Sequence, residues 1–353
     1  PEIFEYLMKL SIERPITLFI DEFQEFFKVN KSVYSDMQRI WDMYHTKAHI
    51  NLIVCGSIFS MMTKIFKDKK EPLYNRQTRF MSIKPFTPAV LKEIMAEYNP
   101  NYTSEDLLAL YSFTGGVAKY VQLLVDAGAT TKTKMLNHII KADSVFLGEG
   151  KAILIEEFGK DYGVYFSILS AIARGKTLRS EIEQIVGREI GGYLTKLEKE
   201  YEVITKNQPI FEKSSTKNVR YTIEDNFFTF WFRFIYKYNY MLEIENYDAV
   251  KTIINRDYET FSGKMLERYF KRVLMESKAY TRIGSWWDRK GENEIDIVAE
   301  NELNDEAVFI EVKRKEENFD ADALNEKVDV FTRATGKFKD YTVSQKGLSM
   351  TDM

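Results

Sequence analysis

ITLFIDEFQEF (16–26) is the stretch that decides the first half of the fold. Its first five residues form a near-continuous apolar run, the pattern of a parallel strand covered on both faces. The run delivers Asp21 and Glu22 at its C-terminal end, the side on which open parallel sheets place ligands. INLIVCGS (50–57) is a second such run. Between them, SVYSDMQRIWDMY carries apolar residues at Val33, Met37, Ile40, Trp41 and Tyr44, a helical spacing. Strand, helix and strand make one β-α-β unit. With the two strands adjacent, Ser57 falls beside the acidic pair.

The 353 residues are enough for two or three domains with separate cores. Fifty Lys and Arg against 53 Asp and Glu give a net charge of −3, which offers no global attraction to nucleic acid and leaves room for a local basic face. The single cysteine, Cys55, rules out an intrachain disulfide. His45, His49 and His138 form no ligand set with it. No apolar run reaches the length of a membrane span, so a cytoplasmic protein with no membrane partner is expected. A chain that starts at Pro1 reads as a fragment or a trimmed product.

Residues 88–145 read as a small helical bundle, with Thr87 as a cap, Pro88 in the first turn and Gly115-Gly116 as a stop. Residues 160–223 hold three short helical segments followed by two alternating stretches, the pattern of a winged helix-turn-helix. Residues 171–220 contain ten basic against seven acidic residues, and Arg188, Lys196, Lys199, Lys213, Lys217 and Arg220 are the candidate phosphate contacts. Nine aromatics between Phe227 and Tyr240 then read as a helix that packs adjacent domains together, since Arg233 and Lys237 interrupt it. From Phe261 a helix precedes the strands 294–300, 306–314 and 339–345, with a helix between the last two.

NEIDIVAE (293–300) and DEAVFIEVKRK (305–315) carry the second group of charges. Period two places Glu311 and Lys313 on one face of a strand with Val312 turned away. If the two strands form a hairpin, Asp296 approaches Glu311. Two carboxylates can then coordinate Mg²⁺ or Mn²⁺ while Lys313 orients water or steadies phosphate charge, and Glu267 on the preceding helix adds a third oxygen.

FIDEFQEF, LIVCGS, PLYNRQTRF with KPF, and TGGVAKY (114–120) together resemble the ATPases of the AAA+ and STAND group, notably a prokaryotic, archaeal-type family with an ATPase module before a nuclease-like domain. The resemblance implies that Asp21 holds Mg²⁺, Glu22 is the catalytic acid and Ser57 is the sensor, with ATP and Mg²⁺ as cofactors; Arg76 is expected to reach across to a neighbouring subunit's nucleotide. A phosphate loop ending in GK[ST] is not present: Gly175-Lys176-Thr177 has Ser170 where the first glycine belongs. The expected place for that loop is upstream of Pro1, and this chain alone is expected to bind ATP weakly or not at all.

The order of Glu267, GSWWDRKGENEIDIVAE and FIEVKRK, then a helix and a strand, resembles the PD-(D/E)xK nuclease fold. The expected class is therefore α/β multidomain. Its parts are a partial P-loop ATPase core (1–87), a helical lid (88–150), a winged helix-turn-helix (151–225), an aromatic helical connector (226–260) and a restriction-endonuclease-like domain (261–353). The expected function is an ATPase coupling nucleotide state to DNA binding and a nuclease-like module. The alternatives are a Mg²⁺-dependent DNA endonuclease with a structural ATPase remnant, and a non-catalytic DNA-binding or regulatory protein. DNA, a second copy of the chain and a regulatory protein are the expected partners.

Overall fold

Every second residue of ITLFI and INLIV points the same way, and one of the two resulting faces is packed. The computed structural model describes residues 1–56, 59–213 and 216–353. In it, β1 (Ile16–Ile20) runs parallel to β2 (Ile50–Val54), paired from Ile16 opposite Ile50 to Ile20 opposite Val54. Leu18, Ile20, Leu52 and Val54 turn toward a core that includes Phe4, Met8, Met37, Ile40 and Ile65. That core is built largely by the helices Glu2–Glu13, Val33–Tyr44 and Phe59–Lys67. Phe19 and Ile53, on the other face, are 59% and 40% exposed. The expectation of strands covered on both faces is corrected here: strand geometry sends alternate side chains to opposite faces, and the described helices cover one of them.

The described chain divides into two compact units. The first is Pro1–Ile83 with Ile153–Lys160; the second is Lys84–Ala152 with Asp161–Met353. Within the second, Thr87 caps the helix Pro88–Tyr98, with Pro88 at its first position. A capping box between Thr103 and Asp106 starts the helix Ser104–Thr114, and Gly115, at φ 62°, stops it. A residue with a Cβ is disfavoured in that left-handed conformation, which is why a glycine pair ends the run. From Asp106 to Thr114 this helix is buried throughout, so it forms the centre of the unit. Ala118–Asp126 and Lys132–Ile139 complete the bundle.

Three helices, Tyr162–Ala173, Arg179–Val186 and Gly191–Lys199, precede the antiparallel pair β3 (Ile204–Asn207) and β4 (Arg220–Ile223). The Gly175-Lys176-Thr177 turn lies between the first two helices, and the Thr177 carbonyl accepts the Tyr221 amide at 2.8 Å. The aromatic run does not form one helix. It breaks into Asn226–Phe230, a π-helical stretch Trp231–Tyr236 and Asn239–Glu243. Phe227, Phe230, Trp231, Phe232 and Phe234 are all buried, and the π-helical stretch is the single-turn kind that interrupts otherwise helical runs. A 31-residue helix, Tyr247–Ser277, follows, so the boundary expected at 260/261 falls inside one continuous element.

The C-terminal sheet has the order β5 (Arg282–Trp287), β6 (Glu294–Asn301), β7 (Glu306–Val312), β8 (Thr342–Leu348). The first three strands are antiparallel. β8 returns parallel to β7 after the helix Ala321–Thr335, as a parallel neighbour requires a crossover. It begins three residues later than the sequence pattern placed it, beyond a turn in which Phe338 takes φ 64°. Trp286, Ile295, Val298, Phe309, Leu324 and Phe331 pack the sheet against that crossover helix.

Candidate functional site

The β6–β7 register determines the C-terminal site. Ile297 stands opposite Ile310 in the last pair of the ladder, which leaves Asp296 and Glu311 as the next residues outward, close enough for the Glu311 charge to act on Asp296. The Asp296 carboxylate accepts the Val312 amide hydrogen at 2.8 Å, which fixes it at the end of the ladder. Glu311 is buried, and two ammonium groups meet it: Lys313 at 2.8 Å and Lys327, from the crossover helix, at 2.9 and 3.1 Å to its two oxygens. Glu267 enters from the long helix, paired at 2.9 Å with Lys264 three residues before it. Lys264 also lies 4.0 Å from Glu294, which Arg220 holds at 2.9 Å.

The acids sense one another. Burial, reinforced by the Asp296 charge, pushes the Glu267 carboxyl up to about 7. Burial raises Asp296 as well; the Val312 amide opposes that shift and the Glu311 charge adds to it. Such a cluster suits a hard cation, because bringing a positive charge among mutually repelling carboxylates relieves the cost of ionising them. Among the described residues no three His, Cys, Asp or Glu side chains stand together as a ready ligand set. Asp296 and Glu311 nevertheless fit Mg²⁺, which keeps several waters and takes one or two carboxylates. Lys327 then competes with the ion for Glu311.

The N-terminal corner is smaller. Asp21, exposed just past β1, accepts the Glu22 amide at 2.8 Å and the Cys55 thiol at 2.7 Å. Those two hydrogen bonds, the thiol first, hold its carboxyl below the usual range. The hydrogen bond to Asp21, then burial, pushes the Cys55 thiol up. Glu22 adopts φ 48° and accepts from the Gln24 amide group. The Phe23 amide donates to the Cys55 carbonyl at 2.9 Å, tying the ends of the two strands together. An ionised, exposed carboxylate at this sheet end suits the magnesium ion of a nucleotide.

Arg76 is taken up by Asp42, with its Nε and Nη2 at 2.9 and 2.8 Å. Ser57 lies outside the described residues. Arg188, Lys196, Lys199, Lys213 and Lys217 are exposed, as phosphate contacts need to be. Arg220 is committed inward, to Glu294 and to the face of Trp287 at 4.5 Å. The residues not foreseen are Lys264, Lys327 and Cys55 as partners of the acids, and Arg314. Only Lys264 carried a local signal, an i,i+3 spacing to Glu267. Arg314 donates to Glu105 at 2.6 Å and to Ser262, so the residue after Lys313 is anchored to the central helix.

Residues 2–124, which include Asp21 and Cys55, match a family described as an ATPase domain predominantly from Archaea. Residues 231–326, which include Glu267, Asp296, Glu311 and Lys313, match a family described as archaeal and bacterial proteins of unknown function. An uncharacterized protein of Methanocaldococcus jannaschii is 33% identical over 314 residues, 85% of this chain and 67% of the relative. A second uncharacterized protein of that organism is 34% identical over 56 residues, 16% of this chain and 54% of its own length. A Walker-type ATPase of Pyrococcus abyssi aligns with a TM-score of 0.47 at 20% identity, over 66% of this chain and 67% of that one.

Proposed function

The chain belongs to the archaeal-type ATPase family of its Methanocaldococcus jannaschii relative, and on that premise we propose that the nucleotide state of its ATPase domain controls a DNA-binding and nuclease-like unit. The observation that carries the nuclease half is the Asp296 carboxylate, held by the Val312 amide within reach of the Glu311 charge, with Lys313 bonded to Glu311. Asp296 and Glu311 would hold Mg²⁺ or Mn²⁺, and the chemistry supplied by the bound ion is Lewis-acid polarisation of a phosphodiester and activation of water. Lys313 keeps an ammonium beside the phosphate position, where it can orient a water or offset developing negative charge. Glu267, with its carboxyl raised toward neutrality, can hold a proton close to Asp296. The three helices and β3–β4 hairpin are read as a winged helix-turn-helix, whose exposed Lys196 and Lys199 would meet the DNA backbone.

In the ATPase half, Asp21 would hold the magnesium of ATP and Glu22 would orient the attacking water. The test of coupling is made on the intact gene product. ATP hydrolysis is measured with and without DNA, and DNA cleavage with and without ATP, beside Glu22→Gln. Stimulation of hydrolysis by DNA, and cleavage that responds to ATP in the parent but not in the variant, support the reading. Hydrolysis and cleavage that ignore each other refute it.

A further inference from the structure

A cleft of about 1010 Å³ lies within the second unit, walled by the β3–β4 hairpin, the long helix and the β5–β6 end of the sheet, and it reaches Glu267, Glu294 and Asp296. Among the described residues, nine cationic and six acidic side chains line it. Several of the cations already meet an acid: Lys264 meets Glu267, Arg220 meets Glu294 and Arg272 meets Glu276. Others do not. Lys206, Lys271, Arg289 and Lys290 line the cleft, and none is in an ion pair among the described residues. Arg268 is held at 2.9 Å by the neutral amide oxygen of Asn226. Lys271 is half-buried; burial lowers its ammonium pKa, and the Glu224 charge, also on the cleft wall, opposes that without forming an ion pair. A half-buried cation with no direct ion pair is only partly compensated, and an anion that arrives to meet it relieves the rest.

These cations stand on three walls, Lys206 on β3, Lys271 on the long helix, and Arg289 and Lys290 on the β5–β6 turn. One small anion needs a single convergent cluster. Charges spread along a cleft suit a chain of anions. Lys271 lies one helical turn, about 6 Å, beyond Glu267, so a polymer neutralised at Lys271 runs on toward the Glu267–Asp296 end. The volume is at the upper end of small-ligand pockets, room for a few nucleotides. The same length of duplex carries a second strand and its bases and needs at least twice that room, so the volume favours one strand.

We infer that this cleft binds one strand of nucleic acid by its phosphates and feeds it past Glu267 and Asp296. The inference deepens the nuclease reading and rests on it for the direction of feed, while the binding itself stands independently. Binding comes from backbone charge and is therefore salt-sensitive and tolerant of sequence.

The test is fluorescence anisotropy with labelled oligo(dT) and oligo(rU) of about 15 nucleotides and a blunt duplex, in EDTA and ~50 mM salt. Lys271→Glu and the pair Arg289→Glu/Lys290→Glu are each expected to weaken single-strand binding about tenfold or more, and Lys271→Met is expected to lower the salt slope by about 1. Lys339→Glu, an exposed charge outside the cleft, is expected to bind as the parent does. The tighter of the two single strands identifies the sugar. Thermal melts of each variant separate lost binding from lost folding. Parent-like binding by folded cleft variants, tighter binding of the duplex than of either strand, or no binding by the parent overturns the inference. Binding without cleavage in Mn²⁺ leaves the cleft assignment standing and removes the nuclease reading instead.

Discussion

Asp296 and Glu311 lie on adjacent strands just past the last paired rung of β6 and β7, Ile297 opposite Ile310, and the Asp296 carboxylate is pinned by the Val312 amide at 2.8 Å. Two acids held in that way on adjacent strands cannot drift apart without breaking the hairpin. The hairpin and that hydrogen bond fix where the Asp296 carboxylate sits, while Lys313 and Lys327 hold Glu311 beside it.

Lys327 reaches both oxygens of Glu311 from the crossover helix, so it competes for the same carboxylate that would hold a divalent ion. Lys327→Ala is expected to tighten Mn²⁺ binding several-fold, measured by calorimetry or manganese EPR. Weaker binding in the variant would mean that Lys327 holds Glu311 in its ligating position.

Glu267 carries a carboxyl raised from 4.5 to about 7 in the folded chain. Between those values the folded state binds a proton that the unfolded state has released, so this group stabilises the fold below pH 4.5 and loses that contribution as pH rises through about 7. In EDTA, Glu267→Gln is expected to flatten the fall in melting temperature between pH 5 and 8. A parent and variant with parallel pH profiles would contradict the shifted carboxyl.

Cys55 donates its thiol to Asp21 at 2.7 Å, and its pKa is raised chiefly by that bond. Asp21→Asn is expected to bring the thiol down toward its ordinary value and speed its reaction with a disulfide reagent at pH 8, since the thiolate is the reactive form. The chain's single cysteine makes the rate unambiguous. An unchanged or slower rate would show that Asp21 does not control it.

Arg314 bridges Glu105 at 2.6 Å, with side chains 18% and 27% exposed, and lies beside the Tyr258 ring. Removing one partner leaves a partly buried charge. Arg314→Ala is expected to cost about 2 kcal/mol, less than a fully buried pair and more than a surface one. Chemical denaturation of Arg314→Ala, Glu105→Ala and the double variant measures it; a coupling energy near zero would contradict a structural strut.

Much of this was legible because it is local. The helix at 33–44, the Thr87 and Gly115 helix ends, and the approach of Asp296 to Glu311 across a 15-residue gap all follow from spacing along a short stretch. What was not legible is long-range. Lys327 meets Glu311 only because of how the crossover helix rotates, and Arg314 finds Glu105 across 209 residues. Phe19 and Ile53 read as buried from composition, yet exposure depends on which elements cover a face, which apolarity alone does not encode. Arg220 read as a phosphate contact from its charge, while its place on β4 turns it to Glu294 and Trp287.

The most direct measurement is Mn²⁺-dependent cleavage of labelled single-stranded DNA by the intact gene product, beside Lys313→Ala and Asp296→Asn. Cleavage by the parent is expected to fall about a hundredfold or more in both variants while DNA binding persists, because both changes act on the reacting centre and not on the strand's grip. Equal cleavage by parent and variants, or none by the parent, would contradict the assignment of this hairpin as a nuclease site.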